Sequence, residues 1–105
     1  METTVVTPGI EENTQEQLEK LYHVIILNDD EHTFDYVIEM LQSVFAISHA
    51  DAMARTVEAD QSGSAVVMTC GLSEAEKKRD AVHAYGPDWR MAASRGSVTA
   101  LVEPA

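Results

Sequence analysis

Basic residues are scarce in this 105-residue chain: seven Lys and Arg stand against eighteen Asp and Glu, for a formal net charge of -11. Phosphate backbones and anionic bilayers repel such a chain, which argues against nucleic-acid and membrane-surface roles. Apolar runs such as Val24 to Leu27 are far shorter than the roughly 20 residues that span a bilayer. The first 19 residues hold five glutamates and no Lys or Arg, unlike a secretory signal, and we expect a cytoplasmic protein.

Cysteine is nearly absent as well. Cys70 is the only one, so an internal disulfide is excluded, and no neighbouring Cys or His gives the ligand spacing of a structural zinc site. The sequence also lacks the phosphate-binding, dinucleotide-binding, metalloprotease and nucleophile-elbow motifs of common enzyme classes. We therefore expect a protein that is not an enzyme and carries no cofactor or metal, stabilised by packing of its hydrophobic residues.

The chain divides into an arm and one core domain. Residues 1–19 contain few apolar side chains among Thr, Glu and Gln, too few to offset the entropy lost on ordering, so they are predicted to form a disordered acidic arm. Residues 20–105 are predicted to form the core domain. Strands are predicted at 21–27, 64–70 and 97–102, and helices after Thr33, over 49–61 and after Ser73.

This β-α-α-β-α-β order predicts an α+β fold. Long connections favour a mostly antiparallel or mixed three-stranded sheet with the three helices on one face, which makes a two-layer sandwich. The first strand stops abruptly at a polar turn, residues 28–33, which holds an amide, three carboxylates and an imidazole. Such a turn can be a solvated helix start, or it can be a site for a cation, either a metal or an ammonium group.

Three segments together resemble the ClpS family of adaptors for the Clp protease. They are Tyr-His-Val-Ile-Ile-Leu-Asn-Asp-Asp at 22–30, His-Thr-Phe-Asp-Tyr-Val at 32–37, and the segment 98–105, which ends Val-Glu-Pro-Ala. The resemblance implies a small monomeric adaptor that binds the first residue of other polypeptides, the N-degron of the N-end rule. It also implies delivery of those polypeptides to an AAA+ unfoldase of the ClpA or ClpC type, with the N-terminal arm engaging that unfoldase.

The resemblance assigns the polar turn to amine recognition. Asn28 and Asp30 match family residues that hydrogen-bond the α-amino group of the substrate, and Asp29 completes the motif. An α-amine with a pKa of about 7.7 to 8.0 is largely cationic near neutrality, so carboxylate and amide oxygens suit it. Asp60 stands where the family usually has a His that contacts the amine. The Asp60 carboxylate can still accept a hydrogen bond from the amine there. Without the resemblance, Asp60 would be interpreted as an ordinary acidic residue at the end of a helix.

The resemblance also implies a deep apolar pocket for a Leu, Phe, Tyr or Trp first residue. His32 matches a position at the pocket mouth, and Phe34 and Val37 match wall positions three residues apart on one helix. Thr56 replaces a wall Met, and Ala59 keeps the floor small. Without the resemblance, apolar residues at this spacing would be core residues. The predicted pocket residues are His32, Phe34, Val37, Met40, Thr56 and Ala59.

Two residues of the third helix, Glu76 and Lys78, fall on the side that faces the unfoldase in the family.

Two other hypotheses stay open. Asp29, Asp30, His32 and Asp60 could form a divalent-metal site, because their ligand types are acceptable. Alternatively, Thr56 and Asp60, which differ from the usual family residues, could indicate an interaction module of the same fold that has lost amine recognition.

Overall fold

The computed structural model describes residues 20–105 and contains the predicted element order. The elements are β1 (Leu21–Leu27), α1 (Phe34–Phe45), α2 (His49–Ser62), β2 (Ser64–Gly71), α3 (Leu72–His83) and β3 (Ala100–Pro104). The α+β class and the β-α-α-β-α-β order are thereby confirmed. The predicted arm, residues 1–19, lies outside the described residues. Within residues 20–105, no helix has the length and apolar character needed to cross a membrane.

The sheet has β1 at its centre, in the order β2-β1-β3, and both neighbouring pairs are antiparallel. Val24 and Ile26 of β1 are buried, and on the neighbouring strands Val24 pairs with Met68 and with Val102. Alternate residues of a strand point to opposite faces, so one face of β1 supplies the floor of the core. The central position explains why this strand is the most apolar of the three.

The three helices pack on the sheet, with α3 against all three strands and α1 and α2 against β2. The N-cap of α1 is Thr33, as predicted, and its hydroxyl oxygen accepts from the backbone N–H of Tyr36 at 3.2 Å. Buried residues recur along α1 at helical spacing, whereas α2 buries small side chains, which allow close approach to its neighbours. The end of α2 also holds the end of β1, because the backbone N–H of Asn28 donates to the carbonyl of Gly63 at 2.9 Å.

The predicted starts of α3 and β3 are wrong. Gly71, rather than Ser73, is the N-cap of α3, and it makes no side-chain capping bond, because β2 runs directly into this helix. The last strand begins at Ala100 instead of residue 97. Ser97 and Val98 are held by side-chain contacts outside the sheet: Gly86 N–H donates to the Ser97 hydroxyl at 2.7 Å, and Val98 N–H donates to the Tyr36 hydroxyl at 3.4 Å.

Candidate binding site

A cavity of about 50 Å³ lies between the end of β1, the polar turn, α1 and α2. The hydrogen bond from Asn28 to Gly63 joins the end of β1 to the end of α2. Its lining combines apolar side chains with amide, carboxylate and imidazole groups. Its lining residues are Ile26, Leu27, Asn28, Asp29, His32, Phe34, Val37, Thr56, Ala59, Asp60 and Val98.

Most of the predicted site residues meet at this cavity, but Asp30 and Met40 do not line it. Asp30 is exposed on the turn, and Met40 is fully buried in the core. Three-residue steps along a helix drift around its axis by about 60° each, since a turn takes 3.6 residues. Met40 therefore lies about 120° from Phe34 around the helix, where it packs into the core.

The turn is organised by Asp29. Its Oδ1 accepts from the backbone N–H of Glu31 at 2.8 Å, an arrangement in which an Asp side chain stabilises its own turn. Both carboxylate oxygens also lie 2.8 Å from Nδ1 of His32. The other ring nitrogen of His32, Nε2, lies 2.7 Å from the carbonyl oxygen of Gly96. The His32 side chain is only 4% exposed, so it is a fixed part of the wall.

A buried carboxylate, which the sequence did not indicate, binds the last residue of the polar turn. Asp88 is 1% exposed and accepts from both the backbone N–H and the hydroxyl of Thr33, at 2.7 and 2.8 Å. It also accepts from the backbone N–H of Arg90 at 3.0 Å and from its guanidinium at 3.3 Å. Burial acts to raise the pKa of Asp88, but these hydrogen bonds outweigh it and lower the pKa to about 2.

Asp88 belongs to the 84–99 loop, the segment of residues 84–99 that joins α3 to β3. Asp88 accepts a hydrogen bond from Thr33, and the carbonyl of Gly96 contacts His32. These two contacts hold the loop against the residues that precede α1. No local pattern indicated this. Asp88 follows a Gly-Pro pair and reads as an ordinary turn residue, and its Thr33 partner is 55 positions away.

The cavity walls differ in exposure. Phe34 is 47% exposed at the mouth, whereas Thr56 is 3% exposed inside. The Thr56 hydroxyl donates to the carbonyl of Ala52 at 2.7 Å, so its donor is already satisfied within α2. Asp60 is exposed, and its carboxylate therefore remains hydrated when the cavity is empty.

This arrangement suits an apolar group that carries a cation. Asn28, Asp29 and Asp60 contribute acceptor groups to the lining, and none of the described residues lining the cavity is Lys or Arg. An ammonium group would therefore meet acceptors without a competing positive charge from Lys or Arg. Across residues 20–105, no group of three or more His, Cys, Asp or Glu side chains is placed to hold a metal ion. The geometry therefore favours an ammonium group over a divalent metal.

A family model described as ATP-dependent Clp protease adaptor protein ClpS matches residues 17–88. The chain belongs to the ClpS family. The resemblance is thereby confirmed for the polar turn, which lies within the matched residues, and the family is one of adaptors for a protease rather than of proteases.

Individual ClpS proteins match over most of the chain. The ClpS adapter of Nautilia profundicola is 38% identical over 74 residues, 70% of this chain and 76% of that protein. The ClpS adapter of Acetivibrio thermocellus is 35% identical over 95 residues, 90% of each chain. The structure of Agrobacterium tumefaciens ClpS2 bound to L-phenylalaninamide superposes with a TM-score of 0.71 at 31% identity, covering 82% of this chain and 98% of that one.

The two residues that the ClpS resemblance assigns to unfoldase contact lie apart from the cavity, on α3. Glu76 is exposed. Lys78 is partly buried, and its Nζ donates to the carbonyl of Val44 at 3.0 Å. Val44 is in the last turn of α1, which has no basic residue of its own, so Lys78 also satisfies a free carbonyl at the negative end of that helix.

Proposed function

We propose that this protein binds the free N-terminal residue of substrate polypeptides in the cavity and delivers them to an AAA+ Clp unfoldase of the ClpA or ClpC type. It is an adaptor without catalytic activity of its own, acting in the cytoplasm. One observation carries the proposal: the acceptor groups of Asn28, Asp29 and Asp60 line the same small cavity as apolar side chains such as those of Phe34 and Val37. An N-terminal residue has the matching chemistry, with a cationic amine next to an apolar side chain.

Amine recognition distinguishes a chain end from an internal residue. A free α-amine carries a positive charge near neutrality and donates up to three hydrogen bonds, whereas an internal peptide nitrogen is neutral and donates one. Carboxylate acceptors strengthen those bonds because both partners are charged. L-phenylalaninamide, bound by the Agrobacterium tumefaciens ClpS2, combines a free amine with a phenyl side chain, which supports this assignment.

The size of the cavity sets a condition for bulky side chains. At about 50 Å³, it has roughly a third of the volume of an apolar cavity that holds benzene, about 150 Å³. A Phe or Tyr side chain therefore enters only when a wall moves outward. Phe34 is the wall residue with the freedom to do so, because nearly half of it is exposed at the mouth. We therefore assign Phe34 as the residue that opens for large first residues.

The test is fluorescence anisotropy with labelled peptides that differ only in their first residue: Leu, Phe, Tyr, Trp, Ile, Val and Met. We expect the first four to bind more tightly than Ile and Val. If no peptide binds with a Kd below about 1 mM, equivalent to about 4 kcal/mol, the proposal is wrong. The chain would then be an interaction module of the same fold without amine recognition.

Asp60→Asn should weaken binding of a Phe-initiated peptide about five- to tenfold. The exchange keeps an acceptor oxygen but removes the charge that strengthens the bond to the amine, and solvent exposure reduces the effect. Glu58→Gln is the matched control, because it removes the same charge from the same helix outside the cavity. Equal losses in the two variants would show that Asp60 acts only through the overall charge.

Thr56→Val should change affinity for the same peptide by less than about twofold. Val has nearly the same shape, and the Thr56 hydroxyl that it removes donates to Ala52 rather than into the cavity. Titration by anisotropy, with thermal unfolding of each variant as a folding control, measures the difference. A loss of tenfold or more would place the hydroxyl in contact with the ligand.

Delivery involves surfaces other than the cavity. We assign Glu76 and Lys78 to unfoldase contact, and residues 1–19 to the arm that engages the unfoldase. Glu76 is the better residue to vary, because Lys78 also holds the end of α1. A degradation assay with a Clp unfoldase and protease separates this step from peptide binding.

A further inference from the structure

A groove of about 520 Å³ lies along one side of α3 and shares no described lining residue with the amine-binding cavity. Its lining residues recur at spacings of three and four, which places them on one face of the helix. Within residues 20–105 they are Gly71, Ser73, Glu74, Lys77, Lys78 and Ala81. Two lysines against one glutamate make this lining net positive, on a chain whose formal net charge is -11.

The two lysines have no carboxylate partner in the described part of the chain. Ion pairs with carboxylates there occupy Arg55, Arg79 and Arg90. Lys77 is exposed, and the ammonium of Lys78 donates to a backbone carbonyl at the end of α1, which leaves its charge without a counter-charge. The groove thus brings together two positive charges that attract an anionic segment.

The acidic arm joins the core domain beside this groove. Leu21, the first residue of β1, pairs with Gly71, which is the N-cap of α3 and lines the groove. Neighbouring strands lie about 4.8 Å apart. The chain that precedes Leu21 therefore starts at the end of α3 where the groove begins.

The arm has the charge and the length to occupy the groove. It holds five glutamates and no Lys or Arg. An extended chain covers about 3.5 Å per residue, so Glu16 reaches up to about 17 Å from Leu21. Lys77 lies six positions after Gly71, which is about 9 Å along the helix axis. Glu16 and Glu19 can therefore reach the lysines of the groove.

Tethering makes even a weak contact effective. A segment joined to its site by a short linker has an effective concentration of about 1 mM there. A contact with a Kd of about 1 mM between separate molecules is then about half occupied. Its strength should fall with added salt, because the Debye length at 0.1 M is only about 10 Å.

We propose that the glutamates nearest the core dock the arm in the α3 groove of its own chain, and that a Clp unfoldase displaces the arm when it binds there. The second part rests on the proposed function, which assigns Glu76 and Lys78 to unfoldase contact. Because Lys78 also lines the groove, the docked arm and the unfoldase compete for this surface. The arm is then released at the unfoldase and held against α3 elsewhere.

Paramagnetic relaxation measures docking in the full chain without any partner. Cys70→Ala removes the native thiol, Thr14→Cys carries a nitroxide in the arm, and broadening of backbone amide signals is recorded. We expect strong broadening at Lys77 and Ala81 that decreases with added salt and in Lys77→Gln. Arg95→Gln is the matched control, because it removes the same charge from an exposed residue outside the groove, and it should leave the broadening unchanged.

Three results would overturn docking in the groove. Equal broadening in Lys77→Gln and its parent would show that the lysine does not hold the arm. Broadening spread evenly over the surface would show that the arm has no preferred site. The third result concerns a second copy as the partner: broadening of α3 in ¹⁵N-labelled chains mixed with unlabelled nitroxide chains would show that the arm docks between molecules.

Affinity for a Clp unfoldase tests the competition. Glu16→Gln/Glu19→Gln keeps the length of the arm and removes the two charges nearest the groove, and Glu2→Gln/Glu11→Gln removes the same charge further away. We expect the first variant to bind about two- to fivefold more tightly than the wild type, since a groove that is half to four-fifths occupied lowers apparent affinity by about that factor. The control should match the wild type.

The outcomes keep the two proposals apart. Equal or weaker binding of the unfoldase by Glu16→Gln/Glu19→Gln would overturn the competition and leave the proposed function intact. Absence of unfoldase binding by all three proteins would contradict the delivery step of the proposed function, whereas the nitroxide measurement still decides whether the arm docks. Circular dichroism establishes that each variant is folded.

Discussion

Acetylation of the first residue of a Phe-initiated peptide should reduce its affinity at least about 100-fold. The acetyl group removes the positive charge of the amine and leaves one donor in place of three. Hydrogen bonds to charged groups contribute about 1.5 to 3 kcal/mol each, so loss of two of them already exceeds a factor of 100. Competition titrations against a labelled free peptide give both affinities.

A matched peptide separates the amine from other effects of the modification. Acetylation of a lysine side chain further along the same peptide also removes one positive charge but leaves the α-amine free. That peptide should bind within about threefold of the unmodified one, apart from weak screened attraction to the acidic protein. Similar losses for the two acetylated peptides would contradict recognition of the N-terminus and indicate general charge attraction.

Asp88→Ala should destabilise the fold by about 3 kcal/mol, because Thr33 and Arg90 lose an acceptor in a buried position. Two donors of Thr33 and the backbone N–H of Arg90 would be left unpaired. Denaturant unfolding measures the difference. The control is Glu39→Ala, which removes the other, 56% exposed, partner of Arg90 and should cost less than about 1 kcal/mol. Equal effects would show that the buried carboxylate has no special role.

The same residue gives the fold an acid-dependent stability. The pKa of Asp88 is lowered from 3.8 to about 2 in the folded protein, so between these values the unfolded state binds more protons than the folded state. The contribution is therefore fully present above about pH 4 and is lost as the pH falls toward 2. The unfolding free energy of the wild type should fall more steeply over this range than that of Asp88→Asn, and parallel curves would contradict the assignment.

Features encoded by neighbouring residues could be predicted from the sequence. The N-cap at Thr33 and the end of α2 at Gly63 follow from capping chemistry, and the strand at β1 follows from its β-branched run. Asn28 and Asp29 lie at the end of β1 because the apolar run stops at Leu27. Thr56 and Asp60 share a helix face because they are four residues apart. These local rules place residues within each element, whereas the resemblance to the ClpS family predicted that the elements meet at one site.

Features that depend on distant partners could not be predicted. Met40 has the same local spacing as Val37, and only the packing of α1 on the sheet decides which of the two lies in the core. Asp88 is 55 positions from Thr33, and Gly96 is 64 positions from His32. No periodicity connects residues so far apart. The role of the 84–99 loop therefore emerges only from the fold.

The central claim, that the cavity holds a free amine together with an apolar side chain, is tested most directly by titrating the ¹⁵N-labelled full chain with L-phenylalaninamide. The largest shifts of backbone amide signals should occur at Asn28, Asp29, Thr56 and Asp60, around the lining of the cavity. N-acetyl-L-phenylalaninamide should leave those signals in place. Equal shifts with the acetylated compound, or shifts confined to α3, would contradict binding of a free amine in the cavity.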